Sequence, residues 1–277
     1  MDLYNDKTNW RSNPEVPQIF NWVAVTEQGA ELHVAERNPY YWQVDADGNQ
    51  LPYCDRLTHR LFESVDVFNM WVVNGEIDYQ GRHVELSNYT LFMEEQEAGG
   101  YNVHTANNDA TQIMCINQTV KNPSLREFFQ NANCRKAMSL AINRPEIVEL
   151  IYDGLTTPRQ YSPSNASPQA YAKLADAYIE YDPETANAML DAEGYTERDA
   201  EGYRMFLDGS GPVTFVLEND VAPAIDEMDM IAKYLGEVGI KVLPKIQERS
   251  LVEEHCQANE IDARFTLASR AALPLVD

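Results

Sequence analysis

Apolar and polar positions along the 277 residues change period repeatedly. Ala30-Glu31-Leu32-His33-Val34-Ala35 and Arg56-Leu57-Thr58-His59-Arg60-Leu61-Phe62 alternate with period two, as half-buried strands do. Phe20 to Val25, Glu76 to Tyr79, Tyr101 to Thr105, Gln112 to Asn117, Ile240 to Leu243 and Ala263 to Leu267 read as further short strands. Tyr203 to Leu207 and Val213 to Glu218, around Asp208-Gly209-Ser210-Gly211, read as a hairpin. Helices are expected from a Ser64 or Asp66 cap to Asn74 and from Tyr89 to Ala98. Others are expected over Asn131 to Ile142, from Asn143-Arg144-Pro145-Glu146 to Gly154, from Asp182-Pro183-Glu184 to Gly194, over Ala224 to Val238 and over Ser250 to Asn259. Helices and strands interleave without an internal repeat, which predicts an α/β or α+β fold with a mixed sheet.

Between two of the alternating stretches lies Glu36-Arg37-Asn38-Pro39-Tyr40-Tyr41-Trp42-Gln43-Val44-Asp45-Ala46-Asp47-Gly48-Asn49-Gln50-Leu51-Pro52-Tyr53-Cys54-Asp55-Arg56. Pro39 removes a donor and keeps Asn38 out of helix. Asp47-Gly48 supplies the positive φ of a short turn. The expected result is a tight surface loop between strands.

Composition adds one strong constraint. The formal net charge is −23, from 44 acidic and 21 basic residues. So acidic a surface repels phosphate backbones and argues against a nucleic-acid partner. It suits a solvated exterior or a funnel for cationic substrates. No run of about 18 apolar residues is present to span a membrane. The polar start lacks an apolar signal core, which by itself suggests cytoplasm. Cys54, Cys115, Cys134 and Cys256 show no CxxC spacing, so a zinc ribbon or thioredoxin-type pair is not expected; isolated thiols and disulfides both stay open.

The loop resembles the "RNPYYW…D…GNQLPY" signature of the family 5 extracellular solute-binding proteins, the oligopeptide- and dipeptide-binding components of ABC importers. Asn74-Gly75-Glu76-Ile77-Asp78-Tyr79-Gln80-Gly81-Arg82-His83 is similar to that family's "GEIDxQGRH" segment. Cys134-Arg135-Lys136-Ala137-Met138-Ser139-Leu140-Ala141-Ile142-Asn143-Arg144 resembles its "xRxALSLAINR" helix pair. Tyr181-Asp182-Pro183-Glu184 through Gly194-Tyr195 resembles "YDPEKANALLDEAGY", and Ala258-Asn259-Glu260-Ile261-Asp262-Ala263 resembles "ANEFDA". Cys54 and Cys134 depart from the residues expected there.

The resemblance covers roughly Trp22 to Asp277. It implies one lobe of a periplasmic-binding-protein type 2 fold, in a chain whose Met1 begins partway through a longer protein. Residues 1–35 would then be a lead-in near the lobe crossover, 36–265 the second, ligand-binding lobe, and 266–277 the start of the return crossover. The implied function is extracytoplasmic capture of oligopeptides, periplasmic or extracellular and membrane-anchored or free, by a monomer that delivers them to an ABC permease. Another small solute such as an oligosaccharide, a surface interaction domain, and a degenerate hydrolase are the alternatives.

Among candidate site residues, Gln80, Gly81 and Arg82 place an amide and a guanidinium beside a flexible glycine, suited to a carboxylate or peptide backbone. A structural salt bridge of Arg82 is the competing reading. Asn117 and Gln118, with Thr119, would offer amides at a strand end. Peptide binders of the family often place an Asp after the "FDA" strand for the ligand's amino group; here Thr266-Leu267-Ala268-Ser269-Arg270-Ala271 has no acid. Ser269 and Arg270 would instead meet an anionic or neutral group. Tyr40-Tyr41-Trp42 reads as packing rather than ligand stacking.

No cofactor, metal or catalytic residue is expected. Asp45-Ala46-Asp47-Gly48-Asn49 lacks the EF-hand's sixth-position Gly and twelfth-position Glu. The five histidines lack metal-site spacing, no GxSxG is present, and Gly209-Ser210-Gly211 is not followed by the Lys of a P-loop.

Overall fold

The alternating stretches at 30–35 and 56–62 pair with one another. In the computed structural model, which describes residues 2–9, 13, 15–27, 29–106, 110–163, 167 and 169–268, β1 (Trp22–Ala24), β2 (Leu32–Arg37) and β3 (Arg56–Arg60) form an antiparallel sheet. Trp22 faces Arg37 and Leu32 faces Arg60. The chain divides into two compact units, residues 1–103 and 104–277. The first unit contains this sheet, α1 (Asp2–Thr8), α2 (Val65–Val73) and α3 (Tyr89–Gly99). No helix among the described residues is long and apolar enough to cross a membrane.

The signature loop is held by side-chain amides and one carboxylate. Asn38 is buried and donates to the Gln18 and Phe20 carbonyls, while its own oxygen accepts from the Tyr40 amide. Asp45 accepts from the Asp47 and Asn49 backbone amides, the Asn49 side chain and the Tyr53 hydroxyl at 2.7–2.9 Å. Those bonds, led by that of the Asn49 side chain, pull its carboxyl pKa down to about 2. Tyr40 and Trp42 are 91% and 76% exposed, with the Trp42 ring tilted against that of Tyr41 at 5.8 Å, so neither is part of a buried core.

Ser64 caps α2, as its sequence suggests, by accepting from the Val67 amide. Two expected strands are absent. The Glu76 amide bonds the Trp71 carbonyl, which finishes α2 and leaves 77–84 irregular. The Tyr101 amide likewise closes α3 on the Gln96 carbonyl, and its hydroxyl reaches back to the Phe92 carbonyl. The ends of the two helices meet at Gly75 and Gly99. Gly75 has φ +69°, and a Cβ there would lie 2.0 Å from the Gly99 carbonyl oxygen. Gly75→Ala should therefore cost about 2 kcal/mol. Urea unfolding followed by the fluorescence of Trp71, which sits on α2, reads the shift; an unchanged midpoint would show that the helix ends slide apart freely.

The second unit is built on a mixed sheet in the order β4-β7-β5-β6, with β4 (Thr111–Ile116), β5 (Thr214–Asn219), β6 (Lys241–Ile246) and β7 (Ala263–Ala268). β4 runs antiparallel to β7; β5 is parallel to both β6 and β7. The helices are α4 (Pro123–Gln130), α5 (Ala132–Ala141), α6 (Arg144–Tyr152), α7 (Ala172–Ala175), α8 (Pro183–Ala192), α9 (Ile225–Glu237) and α10 (Arg249–Gln257). Asn143 and Asp182 cap α6 and α8 through the Glu146 and Thr185 amides. The Asn122-Pro123 start of α4 carries no expectation above, although Asn122 accepts from the Ser124 and Leu125 amides as a regular cap.

The inward face of this sheet (Phe215, Leu217, Val242, Ala263, Phe265) joins Leu125, Phe128 and Phe129 of α4, Met138 of α5, Leu190 of α8 and Met228 and Leu235 of α9 in one core. The expected hairpin is partial. Residues 203–207 form no strand, only isolated bridges such as Met205 with Pro212. The Arg204 amide turns to the Gly239 carbonyl, and its guanidinium is buried.

Candidate functional site

The expected ligand residues fall in both units. In the first, Gln80, Gly81 and Arg82 are exposed on the irregular segment after α2. Gln80 Nε2 donates to the Arg82 carbonyl at 2.5 Å, which curls the segment into a short turn. The Arg82 guanidinium has no ion-pair partner among the described residues, so the salt-bridge alternative finds no acid.

In the second unit, Asn117 follows β4. Its Nδ2 donates to Asn259 Oδ1 and the Ile261 carbonyl, both at 2.8 Å, and its Oδ1 accepts from the Thr119 amide and hydroxyl. All four hydrogen-bonding capacities of that amide are engaged within the chain. Asn117 thus ties the turn after β4 to the turn before β7, and the turn after β4 presents the exposed Gln118, whose carbonyl accepts from Gln130 Nε2. Ser269 and Arg270 lie outside the described residues.

Each unit also has a shallow recess. One, of about 410 Å³, lies in the first unit between Trp22, His33, His59 and Arg60. The other, of about 570 Å³, lies between the start of α4 and the 208–211 turn. There Ser124 donates to Asp208 at 2.6 Å, and hydrogen bonds from Ser124 and then Ser210 draw the Asp208 pKa down to about 2. Neither recess contains an expected ligand residue.

Charged groups that no local pattern announces lie on the outward face of the four-stranded sheet, beneath α10. Glu218 is buried, accepts from Gln247 Nε2 and lies 3.0 Å from His255 Nδ1. Arg264 reaches Asp220 at 3.2 Å and Glu253 at 3.0 Å. Burial works against its charge, but these carboxylates outweigh that and raise its pKa. Among the described residues no group of three or more His, Cys, Asp or Glu is arranged to hold a metal ion.

Glu227 on α9 is buried, and Tyr152 donates to it at 2.5 Å. Burial raises its carboxyl pKa against the opposing Tyr152 bond. Because the folded-state pKa is raised, the stability this group contributes is fully present below the unfolded-state pKa. It is lost as pH rises through the folded-state value. Glu227→Gln, which still accepts from Tyr152, should match the parent chain near pH 4 and melt higher than it at pH 7.5. Equal melting temperatures at pH 7.5 would show that the carboxylate is hydrated.

A model of the bacterial extracellular solute-binding proteins, family 5 middle region, matches residues 22–272. A solved oligopeptide-binding protein OppA superposes with a TM-score of 0.72 at 37% identity, covering 99% of this chain and 44% of that one. The oligopeptide-binding protein AppA from Bacillus subtilis, solved with a nonapeptide, superposes at 0.67 and 21% identity over 92% of this chain and 47% of that one. A periplasmic alpha-galactoside-binding protein of Rhizobium meliloti (strain 1021) is 26% identical over 205 residues, 70% of this chain and 29% of that protein. The chain thus spans less than half the length of these relatives, each described as a binding protein. Mixed α/β layers and these superpositions define the fold as part of a periplasmic-binding-protein type 2 architecture. With 22–272 matched by its middle region, the chain belongs to the bacterial extracellular solute-binding proteins of family 5.

Proposed function

We propose that this chain is the ligand-binding second lobe of an extracytoplasmic ABC-importer subunit that captures oligopeptides by closing two lobes on them. The observation that carries the reading is the 37% identity to an oligopeptide-binding protein across 99% of this chain. In this reading residues 1–35 lead in near the lobe crossover, 36–265 form the lobe and 266–277 begin the return. The subunit is a non-catalytic monomer, periplasmic or extracellular, handing its solute to an ABC permease. Its charge of −23 keeps nucleic acid away.

Each unit contributes ligand contacts of its own, Gln80, Gly81 and Arg82 in the first and Gln118, Ser269 and Arg270 in the second, where Asn117 holds the turn that carries Gln118. The Arg82 guanidinium supports this, since a charged group with no ion-pair partner among the described residues is available to a ligand carboxylate. An alpha-galactoside-binding relative and the missing acid near Ser269 favour a saccharide as the second reading.

Calorimetric titration with a peptide panel and with galactosides separates the two. The longer protein that this reading requires should bind peptides at micromolar or tighter dissociation constants, and this chain alone only above about 100 µM, because half the burying surface is missing. Arg82→Ala in the longer protein should weaken peptide binding about tenfold or more. Galactoside binding without peptide binding would transfer the assignment to the sugar; tight peptide binding by this chain alone would refute the two-lobe mechanism.

A further inference from the structure

The outward face of the four-stranded sheet brings two thiols to one guanidinium. Cys115 of β4 lies directly opposite Arg264 of β7 in the antiparallel register, so their side chains leave the same face. Glu218 of β5 is the next residue in that row and meets His255, which places α10 over the row. The following residue of α10 is Cys256, whose Sγ lies 3.9 Å from Arg264 Nη1. Arg264 is held in this position by Asp220 and Glu253. Both sulfurs are free thiols; Cys115 is exposed and Cys256 partly so. Burial raises the Cys115 pKa, with Arg264 pulling it down and Cys256 adding to the rise.

We propose that Cys115 and Cys256 are a redox-responsive pair that closes into a disulfide, joining strand β4, at the edge of the sheet, to α10. The electron acceptor is a small-molecule disulfide such as glutathione disulfide. The exposed Cys115 thiolate attacks one sulfur of the reagent; a Cys115–glutathione bond forms, and the other glutathione leaves as a thiolate that takes up a proton. The Cys256 thiolate then attacks the Cys115 sulfur, the Cys115–Cys256 bond forms, and the second glutathione departs and is protonated in turn. Two protein thiols are oxidised and one disulfide is reduced to two thiols. Persistence of the bond in the cell rests on the extracytoplasmic location proposed above; its formation in vitro does not.

The remaining cysteines serve as internal controls. Cys134 is buried, and burial pushes its thiol up to about 12, which keeps it unreactive in the folded chain. Cys54 is exposed in the first unit, and Cys54→Ser removes pairing between molecules. The C54S chain, equilibrated in glutathione buffers at pH 8, alkylated, digested and analysed by mass spectrometry, should yield a Cys115–Cys256 peptide about 2 Da lighter than its two thiol peptides together. The yield should not change with protein concentration, and the melting temperature should rise by about 5 °C because the bond restricts a long stretch of unfolded chain. C54S/C256S should instead stop at a Cys115–glutathione adduct. The proposal is overturned if folded C54S accumulates adducts or stays alkylatable without that cross-link, or if the cross-link forms only in urea.

Discussion

Replacing Arg204 by alanine is expected to destabilise the second unit by about 3–4 kcal/mol, among the largest effects of any single change. The residue is 1% exposed and serves acceptors from three parts of the chain. Its Nε donates to the Val238 carbonyl at 2.8 Å, and Nη2 donates to Asn187 Oδ1 at 2.7 Å. Its Nη1 bonds the Tyr195 carbonyl and lies 2.5 Å from Asp191 Oδ1. Asp191 is half exposed, so the ion pair itself contributes little and its loss leaves no buried charge. The cost comes from the stranded Tyr195 and Val238 carbonyls and from the cavity. Arg204→Lys keeps the charge but not the fork, and should fall between alanine and the parent. Urea denaturation followed by far-UV circular dichroism measures all three. A loss under about 1 kcal/mol for alanine would mean that water replaces the guanidinium at both carbonyls.

Phe129→Ala should cost a comparable 3–5 kcal/mol through a different mechanism. Phe129 on α4 is completely buried and meets the Phe215 ring of β5 edge-on, with centroids 5.2 Å apart and planes at 73°. Its neighbour Phe128 stands edge-on to Tyr195 at 5.1 Å. Removing the Phe129 ring takes away the contact that seats α4 on the sheet, and close-packed neighbours fill the space only partly. Phe129→Leu keeps most of the volume and should cost about 1–1.5 kcal/mol. Trp10, Trp22, Trp42 and Trp71 all lie in the first unit, so amide exchange in β5 and α4 is the direct readout. Exchange in β5 as slow in the alanine variant as in the parent would show that the core collapses to fill the void.

Several local signals were legible where the chain carries its own hydrogen-bond partner or period. Asn143 and Asp182 cap helices within three residues of themselves, and the alternating stretches at 30–35 and 56–62 pair as neighbouring strands. The signature loop folds as its residues direct, since the partners of Asp45 are at positions 47, 49 and 53. The family resemblance was legible for the same reason: its motifs are contiguous strings.

The strands expected at 76–79 and 101–105 gave way to helix-closing bonds only five residues long, whereas other features that stayed hidden depend on partners far away in the chain. Residues 203–207 read as one arm of a hairpin, yet Arg204 is drawn to Gly239 and Val238, and a buried guanidinium outweighs a ladder that would leave it in solvent. Asn117 reads as a ligand amide until Asn259 and Ile261 are seen to occupy it. The row Cys115–Arg264–Glu218 exists only because β7 lies between β4 and β5, an order set by burying Phe215, Leu217, Ala263 and Phe265 on one face at once. By itself the sequence determined the family, the caps of α2, α6 and α8 and the loop, whose energetics are local. Tertiary structure alone decided strand order, which polar side chains are consumed internally and which thiols meet, because each requires closing loops of many residues around a shared core.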